Sequence, residues 1–226
     1  MVEKSTHRQA LKAMAVSAVA LVLSASPSLA HPHAWIDAAT ELQLNDRQEL
    51  TALTIHWQFD PAYSSFATEG LDKDGDGQIS PAELKPLAAQ NVKALKDYRY
   101  FTEIDVDGKQ VDFGEVTDFS SDFNGLQLSM TFTVPLASPV YVKTHAITYS
   151  LYDPTYYVEI LHQEDHPISF TGHKVDGCSA ELEKPNLEAA MSSLPDLTNE
   201  QTFAEDAPGP LSYGAMFAEK VHLICN

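Results

Sequence analysis

The feature that most constrains this chain is an acidic segment of twelve residues, 72–83, which reads Asp-Lys-Asp-Gly-Asp-Gly-Gln-Ile-Ser-Pro-Ala-Glu. Oxygen-bearing side chains occupy positions 1, 3, 5, 9 and 12, and a glycine stands at position 6, where calcium loops of the EF-hand type turn sharply. The expected ligands, which include the backbone carbonyl at position 7, are Asp72, Asp74, Asp76, Gln78, Ser80 and Glu83. Because these are hard oxygen ligands, the segment predicts a Ca²⁺ site.

The residues on either side of this segment predict two helices around it. Asp60-Pro61 is typical of a helix start, and Ser80-Pro81 followed by Glu83 is typical of a second one. Apolar residues then recur at helical spacing, at Leu84, Leu87, Ala88, Val92 and Leu95. Pro86 lacks the N–H that a helix interior uses, which predicts a kink or an irregular first turn. No second segment of the sequence completes the loop pattern, so a single EF-hand is expected.

Strand patterns lie on both sides of this helical insertion, which covers about 60–97. Residues 34–44 and 49–59 predict a hairpin, because the second segment alternates apolar and polar side chains. Further strands are predicted at 100–106, 110–118, 126–134, about 140–152 and about 155–163. These patterns indicate a mainly β fold with an α insertion, as an antiparallel β-sandwich-like domain over 31–183. Residues 184–226 predict a C-terminal wrapping segment and a final strand.

Residues 1–30 are typical of a cleavable signal peptide. A basic start is followed by the uncharged stretch 13–23 and by Ser28-Leu29-Ala30, a small-x-small cleavage site. The apolar stretch is shorter than a membrane span requires. We therefore expect a periplasmic protein whose mature form does not span the membrane.

The chain has two cysteines, Cys178 and Cys225. In an exported protein two cysteines predict a disulfide bond, because the compartment is oxidising. The alternative is a pair of free thiols on a metal, although the Cys-x-x-Cys spacing of such sites is missing.

Charge and missing motifs exclude several classes of function. The chain has 32 acidic and 14 basic residues, a formal net charge of −18, which disfavours nucleic acid and is compatible with cations as partners. The sequence contains no Gly-x-Ser-x-Gly elbow, phosphate loop, dinucleotide fingerprint or His-Glu-x-x-His. These observations favour a binding protein over an enzyme.

Histidine placement indicates a second metal site. Signal-peptide cleavage would leave His31 at the N-terminus, with His33 close behind it. If the hairpin pairs residue 44 with residue 49, then Asp37 lies opposite His56, and His33, Asp37 and His56 share one face. Imidazole and carboxylate groups suit Zn²⁺, Ni²⁺ or Co²⁺. Two other histidines, His145 and His162, share strand faces with apolar residues and are expected to be packed or rim residues.

Several segments of the chain resemble one bacterial exported family. They are 31–37 (His-Pro-His-Ala-Trp-Ile-Asp), 57–60 (Trp-Gln-Phe-Asp), 100–102 (Tyr-Phe-Thr) and 153–157 (Asp-Pro-Thr-Tyr-Tyr). The family is described as the periplasmic component of an uncharacterised ABC-type transport system. The resemblance implies a periplasmic location and a connection with nickel/cobalt-type permeases, and it supplies no catalytic residues.

Together these patterns predict a periplasmic calcium-binding EF-hand protein. It would be an accessory or metal-binding component of Zn, Ni or Co transport or homeostasis, with a membrane metal permease as a partner. Two alternatives stay open. One is a copper-dependent oxidative enzyme that uses the amine and imidazole of His31, and the other is a calcium-stabilised interaction module.

Overall fold

A computed structural model of the chain describes residues 32–172, 177–193 and 213–225, which belong to one compact unit beginning at Pro32. The predicted signal peptide, His31 and a large part of the predicted wrapping segment lie outside these residues. The described chain forms eleven strands, four α-helices and one 3-10 helix.

The strands are β1 Ala34–Leu44, β2 Glu49–Phe59, β3 Thr102–Val106, β4 Lys109–Gln110, β5 Phe119–Phe123, β6 Leu128–Tyr141, β7 Ile147–Leu151, β8 Val158–His162, β9 Ile168–Gly172, β10 Cys178–Glu183 and β11 Lys220–Cys225. The helices are α1 Pro61–Thr68, α2 Pro81–Leu95, α3 Leu187–Ser193 and α4 Tyr213–Phe217, and the 3-10 helix is Lys96–Phe101. The bounds of β1 and β2 match the predicted hairpin.

The strands form two sheets. The first has the order β5-β6-β2-β1-β8, with β9 also paired to β1, and the second has the order β10-β11-β7-β3-β4. This confirms the mainly β prediction. The prediction that pairing is antiparallel throughout is wrong, because β8 and β9 both run parallel to β1. The chain reaches β8 from β7 in the other sheet, and such a crossover permits the parallel direction that a tight hairpin forbids.

Side chains from both sheets and from α2 enter one hydrophobic core. Ile55 and Phe132 come from the first sheet, Ile104 and Tyr149 from the second, and Leu84 from α2, and each is at most 2% exposed. The hydroxyl groups of Tyr149 and Thr40 form a buried hydrogen bond of 2.5 Å between the sheets. A buried polar contact of this kind satisfies two groups that would otherwise be left without partners in the core.

The register of the first hairpin differs from the predicted one. Ala39, not Asp37, lies opposite His56, and an irregularity separates the pairs formed by Gln43 and Leu44. The turn closes at Asn45, whose side-chain oxygen accepts hydrogen bonds from the amides of Arg47 and Glu49 at 2.9 and 3.1 Å. The shift is two residues, and because side chains alternate with a period of two, Asp37 and His56 still share the outward face.

The helix after the acidic segment is α2, and it is unbroken through Pro86. The predicted irregular first turn is therefore not seen, and the predicted kink at Pro86 stays a prediction. Ala82 and Pro86 are both exposed, so the carbonyl that loses its helical partner can face water. The apolar stripe of α2 is confirmed, because Leu84, Ala88, Val92 and Leu95 are buried and Leu87 packs against the core.

The structure contains the predicted disulfide bond between Cys178 and Cys225. These residues lie directly opposite each other where β10 pairs with β11, and they are 47 positions apart in sequence. The predicted final strand is β11. It pairs with both β10 and β7, so the end of the chain is part of the second sheet.

Candidate functional site

Three predicted calcium ligands converge in the loop between α1 and α2. Carboxylate oxygens of Asp72, Asp74 and Asp76 all lie within 4.8 Å of one another. Within the residues that the structure describes, they are the one group of three or more His, Cys, Asp or Glu side chains that approach so closely. Like charges at this separation repel, so a bound cation would relieve the repulsion among them.

Backbone amides organise the first carboxylate of the loop. Asp72 accepts hydrogen bonds from the amides of Gly75 and Gly77, at 2.8 and 3.0 Å. Gly77 has a φ of +83°, a left-handed conformation that a residue with a Cβ rarely adopts. Further along, Asp76 accepts a hydrogen bond of 2.8 Å from the amide of Gln78. The loop therefore curls around its own acidic side chains.

Glu83, in the first turn of α2, closes the loop from the other side. Its carboxylate accepts hydrogen bonds from the amide and hydroxyl of Ser80 at 2.9 and 2.8 Å, and from the amide of Lys73 at 2.6 Å. The bonds from the backbone of Ser80 and then Lys73 lower the pKa of Glu83 to about 2. The ammonium group of Lys73 bonds to the carbonyl of Gly70 at 2.6 Å. Glu83 therefore links both ends of the loop and stays ionised at neutral pH.

The predicted histidine site is only partly assembled. Asp37 and His56 share the outward face of the first sheet, but His56 Nε2 lies 3.3 Å from Glu41 Oε1 and its Nδ1 lies 3.0 Å from Thr131 Oγ1. His33 stacks on the ring of Tyr157 with centroids 4.5 Å apart. Among the described residues, His33, Asp37 and His56 do not form a cluster with ligand atoms within 4.8 Å.

Sequence reasoning missed Glu41 and also His222. Glu41 became a neighbour of His56 only through the observed register of β1 against β2. His222 Nε2 lies 2.7 Å from Glu183 Oε2, a residue 39 positions away in β10. Polar and apolar residues alternate in β11, which indicates that His222 faces outward, but this pattern does not identify its partner.

His145 and His162, which were expected to be rim or packed residues, behave as predicted. His145 is a half-exposed rim residue paired with Asp107 at 2.7 Å. The side chain of His162 is only 2% exposed and its Nδ1 lies 3.0 Å from Glu219 Oε2. Burial alone would raise the pKa of Glu219, but hydrogen bonds from the side chain and backbone of His162 outweigh burial and hold that pKa below its ordinary value.

Segments that carry the family resemblance meet at one end of the first sheet. The amide of Trp35 donates to Asp60 Oδ2 at 3.0 Å, and the amide of Asp60 donates to the carbonyl of Trp35 at 2.9 Å. The amide of His33 donates to the carbonyl of Tyr157 at 2.8 Å. Residues 33 and 35 thus contact segments 153–157 and 57–60, and the first of these segments is far from them in sequence.

The segment 100–102, which also carries the family resemblance, begins in a turn with left-handed backbone conformations. Arg99, Tyr100 and Phe101 have φ values of +54°, +57° and +51°. Left-handed conformations cost L-residues about 1–2 kcal/mol each. The ring of Phe101 lies 6.1 Å from that of Trp57, and its carbonyl accepts the amide of Tyr152 at 2.9 Å. The ring contact holds the strained turn against segment 57–60, and the hydrogen bond holds it to the residue that precedes segment 153–157.

Uncharacterised bacterial proteins are similar to this chain. The chain is 27% identical over 200 residues to an uncharacterised protein of Haemophilus influenzae. The aligned region covers 88% of this chain and 92% of the relative. The chain is 26% identical over 98 residues to an uncharacterised 15.5 kDa protein of Spirochaeta aurantia, and this alignment covers 43% of this chain and 69% of the relative. Within the described part of the chain, no helix has the length and apolar character needed to cross a bilayer. Residues 16–225 match the family DUF1007, a family of proteins of unknown function, and the chain therefore belongs to the DUF1007 family.

Proposed function

We propose that this chain is a periplasmic calcium-binding protein of the EF-hand type that acts as an accessory or metal-binding component in transition-metal transport or homeostasis. The observation that carries the calcium part is the convergence of Asp72, Asp74 and Asp76 within 4.8 Å, with Glu83 folded across the loop. The location and the association with a membrane permease rest on the signal-peptide pattern and the family resemblance.

The chemistry of the loop favours Ca²⁺ over other cations. All of its candidate ligands are oxygen atoms, supplied by carboxylates, the hydroxyl of Ser80 and the carbonyl of Gln78. Ca²⁺ takes six to eight such ligands at flexible geometry, whereas Mg²⁺ demands a near-ideal octahedron and Zn²⁺ prefers nitrogen and sulfur. An exposed, backbone-organised loop of carboxylates meets the requirements of Ca²⁺ best.

Calcium binding here would stabilise the attachment of α2 to the sandwich. Glu83 is the third residue of α2, and the next residue, Leu84, is fully buried in the core. An ion that ties Glu83 to Asp72 would therefore fix the start of the helix whose apolar stripe covers the core. The proposed role of the ion is structural.

The calcium proposal is tested by thermal unfolding of the mature chain with and without Ca²⁺. A ligand that binds the folded state stabilises it by about 2.7 kcal/mol at 100 times its Kd, so the Tm should rise. Glu83→Gln should remove most of that rise, because it removes a charged ligand. Glu115→Gln is the control, since Glu115 is an exposed acid paired with Lys96 outside the loop. No rise in Tm at millimolar Ca²⁺ would refute the proposal.

The transition-metal part is supported by His56 and its acidic neighbours. Glu41 and Asp37 lie two residues on either side of Ala39, the residue opposite His56, so both can reach the imidazole from the same face. An imidazole with carboxylates suits Zn²⁺, Ni²⁺ or Co²⁺. His33, which precedes β1, stays a candidate ligand of the proposed site, and His31 is a candidate from the sequence alone. Loss of Zn²⁺ binding in His56→Gln and Glu41→Gln, but not in Glu115→Gln, would support this site, and undiminished binding would refute it.

A further inference from the structure

The first sheet differs from the second in its lack of basic side chains. In the described part of the chain, none of the six strands of the first sheet contains a lysine or an arginine, whereas β4 and β11 of the second sheet each contain a lysine. Asp37 of β1 and Glu159 of β8 lie on the outward face of the first sheet, and neither forms an ion pair with a described residue. This face therefore has carboxylates whose charge no lysine or arginine of the sheet compensates.

Large apolar side chains accompany these carboxylates. Trp35 of β1 is 49% exposed, Leu161 of β8 is 37% exposed, and Tyr157, just before β8, is 50% exposed. In the parallel register Trp35 lies opposite Glu159. Asp37 lies opposite Leu161, so apolar and acidic side chains alternate along both strands. Single exposed apolar residues are common on folded proteins, but a contiguous group of them is typical of an interaction site. We call these five residues the Trp35 surface.

Hydrogen bonds hold the backbone beneath the Trp35 surface in place. The amide and the carbonyl of Trp35 both bond to Asp60, at 3.0 and 2.9 Å. The amide of His33 donates to the carbonyl of Tyr157 at 2.8 Å, and the rings of these two residues stack with centroids 4.5 Å apart. A surface that is already ordered loses little conformational entropy when a partner binds to it.

The charge of the Trp35 surface selects among classes of partner. A symmetric dimer through this surface would place Asp37 and Glu159 against the same carboxylates of the second copy. Anionic lipid and nucleic acid would be repelled in the same way. A basic segment is complementary, because a guanidinium or ammonium group can pair with a carboxylate and also lie over the indole ring of Trp35.

We propose that the Trp35 surface is a docking site for a basic segment of a partner protein, in which arginine or lysine alternates with apolar residues. Side chains at every second position of an extended segment point to the same side, so basic and apolar residues at those positions match the alternation on β1 and β8. This inference goes beyond the proposed function. It requires no metal ion, and the Trp35 surface shares only Asp37 with the proposed transition-metal site.

A pair of labelled peptides tests this proposal. In the first, arginine and leucine alternate at every second position with serine between them, and in the second glutamate replaces arginine. The mature, disulfide-bonded protein is kept saturated with Ca²⁺ and free of transition metals. Fluorescence anisotropy should show binding of the arginine peptide that weakens as ionic strength rises, and no binding of the glutamate peptide. The emission of Trp35 should change on binding, and the other tryptophan, Trp57, is buried.

Two pairs of variants locate the binding site. Trp35→Ala should weaken binding at least about 10-fold, because aromatic anchors dominate protein interfaces. Tyr98→Ala is the matched control, since Tyr98 is equally exposed, at 50%, but lies in the 3-10 helix. Leu161→Lys should also weaken binding, whereas Leu161→Glu should not, because the two variants differ in charge at one position. Leu187→Lys, at an exposed leucine of α3, controls for the change in net charge.

Circular dichroism checks that each variant is folded. Equal weakening by Leu161→Lys and Leu187→Lys would show attraction to the net charge alone and would overturn the proposal. Equal binding of the two peptides would overturn the match in charge. A dimer of the mature protein that Trp35→Ala dissociates, measured by analytical ultracentrifugation without peptide, would assign the surface to a second copy and overturn the proposal. None of these outcomes affects the calcium or transition-metal proposals.

Discussion

The acidic loop and the histidine–carboxylate pairs bring charged groups together in different ways. In the loop, all of the groups that meet come from twelve consecutive residues, and backbone amides such as those of Gly75 and Gly77 position them. The pairs at His145, His162 and His222 join residues that are 38, 57 and 39 positions apart. Local spacing therefore defines the first cluster, and strand pairing and packing define the others.

One of the long-range pairs, His162 with Glu219, also differs from the loop in burial. Loop residues Asp74 and Asp76 are exposed, whereas the side chains of His162 and Glu219 are 2% and 6% exposed. Exposed charges are screened by water and contribute little to stability until a ligand binds, while a buried pair depends strongly on both partners. We therefore expect the long-range contacts to determine the stability of the fold, and the loop to determine its response to cations.

The largest change in the free energy of unfolding should follow from removing the disulfide bond. Replacing Cys178 and Cys225 together by serine should lower the free energy of unfolding by about 4 kcal/mol, because the unfolded chain gains the freedom of a loop of roughly 47 residues. Urea denaturation at pH 7 measures the change. The calcium-dependent rise in Tm should persist in this variant, since the loop does not depend on the bridge. A loss below about 1 kcal/mol would show that the bridge contributes little.

The next effect concerns the buried pair. Glu219→Ala should lower the free energy of unfolding by about 3 kcal/mol, because it leaves His162 buried without its carboxylate. His145→Ala at the half-exposed pair with Asp107 is the control and should cost less than about 1 kcal/mol. Urea denaturation of the two variants gives both values. Equal costs at the two pairs would contradict the distinction drawn between buried and exposed clusters.

The smallest effect concerns the ionisation of Glu83 in the absence of calcium. The pKa of Glu83 is lowered from 4.5 to about 2, so its stabilising contribution is complete above pH 4.5 and is lost as the pH falls toward 2. Glu83→Gln keeps a side chain that can complete the capping box but removes the charge. The wild type should therefore be more stable than the variant at pH 7 in EGTA, and this difference should shrink between pH 4.5 and 2. Chemical denaturation over this range measures it, and a constant difference would contradict the assignment.

Sequence patterns predicted the elements whose cause is local. Alternation of apolar and polar residues predicted the hairpin strands Ala34–Leu44 and Glu49–Phe59. Capping residues predicted the start of α2 at Pro81, and helical spacing predicted its apolar stripe. The pattern failed at residues 110–118, where the structure has only the short strand Lys109–Gln110 and one isolated bridge at Phe113. The strand Phe119–Phe123 that pairs with β6 was not predicted, because its polar residues give little periodicity.

The register of the first hairpin shows why the histidine site could be predicted only in part. Alternation placed Asp37 and His56 on one face, and a shift of two residues preserved that placement. The position of Glu41 next to His56 depended on the closure of the turn at Asn45 and on the irregularity after Gln43. These details arise from side-chain hydrogen bonds in the turn, and the strand pattern does not encode them.

The sequence by itself determined the acidic loop and the strand and helix faces that enter the core. It also determined the disulfide pairing, because the chain contains only two cysteines. Each of these follows from residues close together in the chain or from a choice among very few partners. Only the tertiary structure decided that β8 and β9 run parallel to β1, that Glu41 faces His56, and that Glu183 faces His222. The physical reason is that many strand orders and registers bury the same apolar faces, so packing of the whole chain must select one of them.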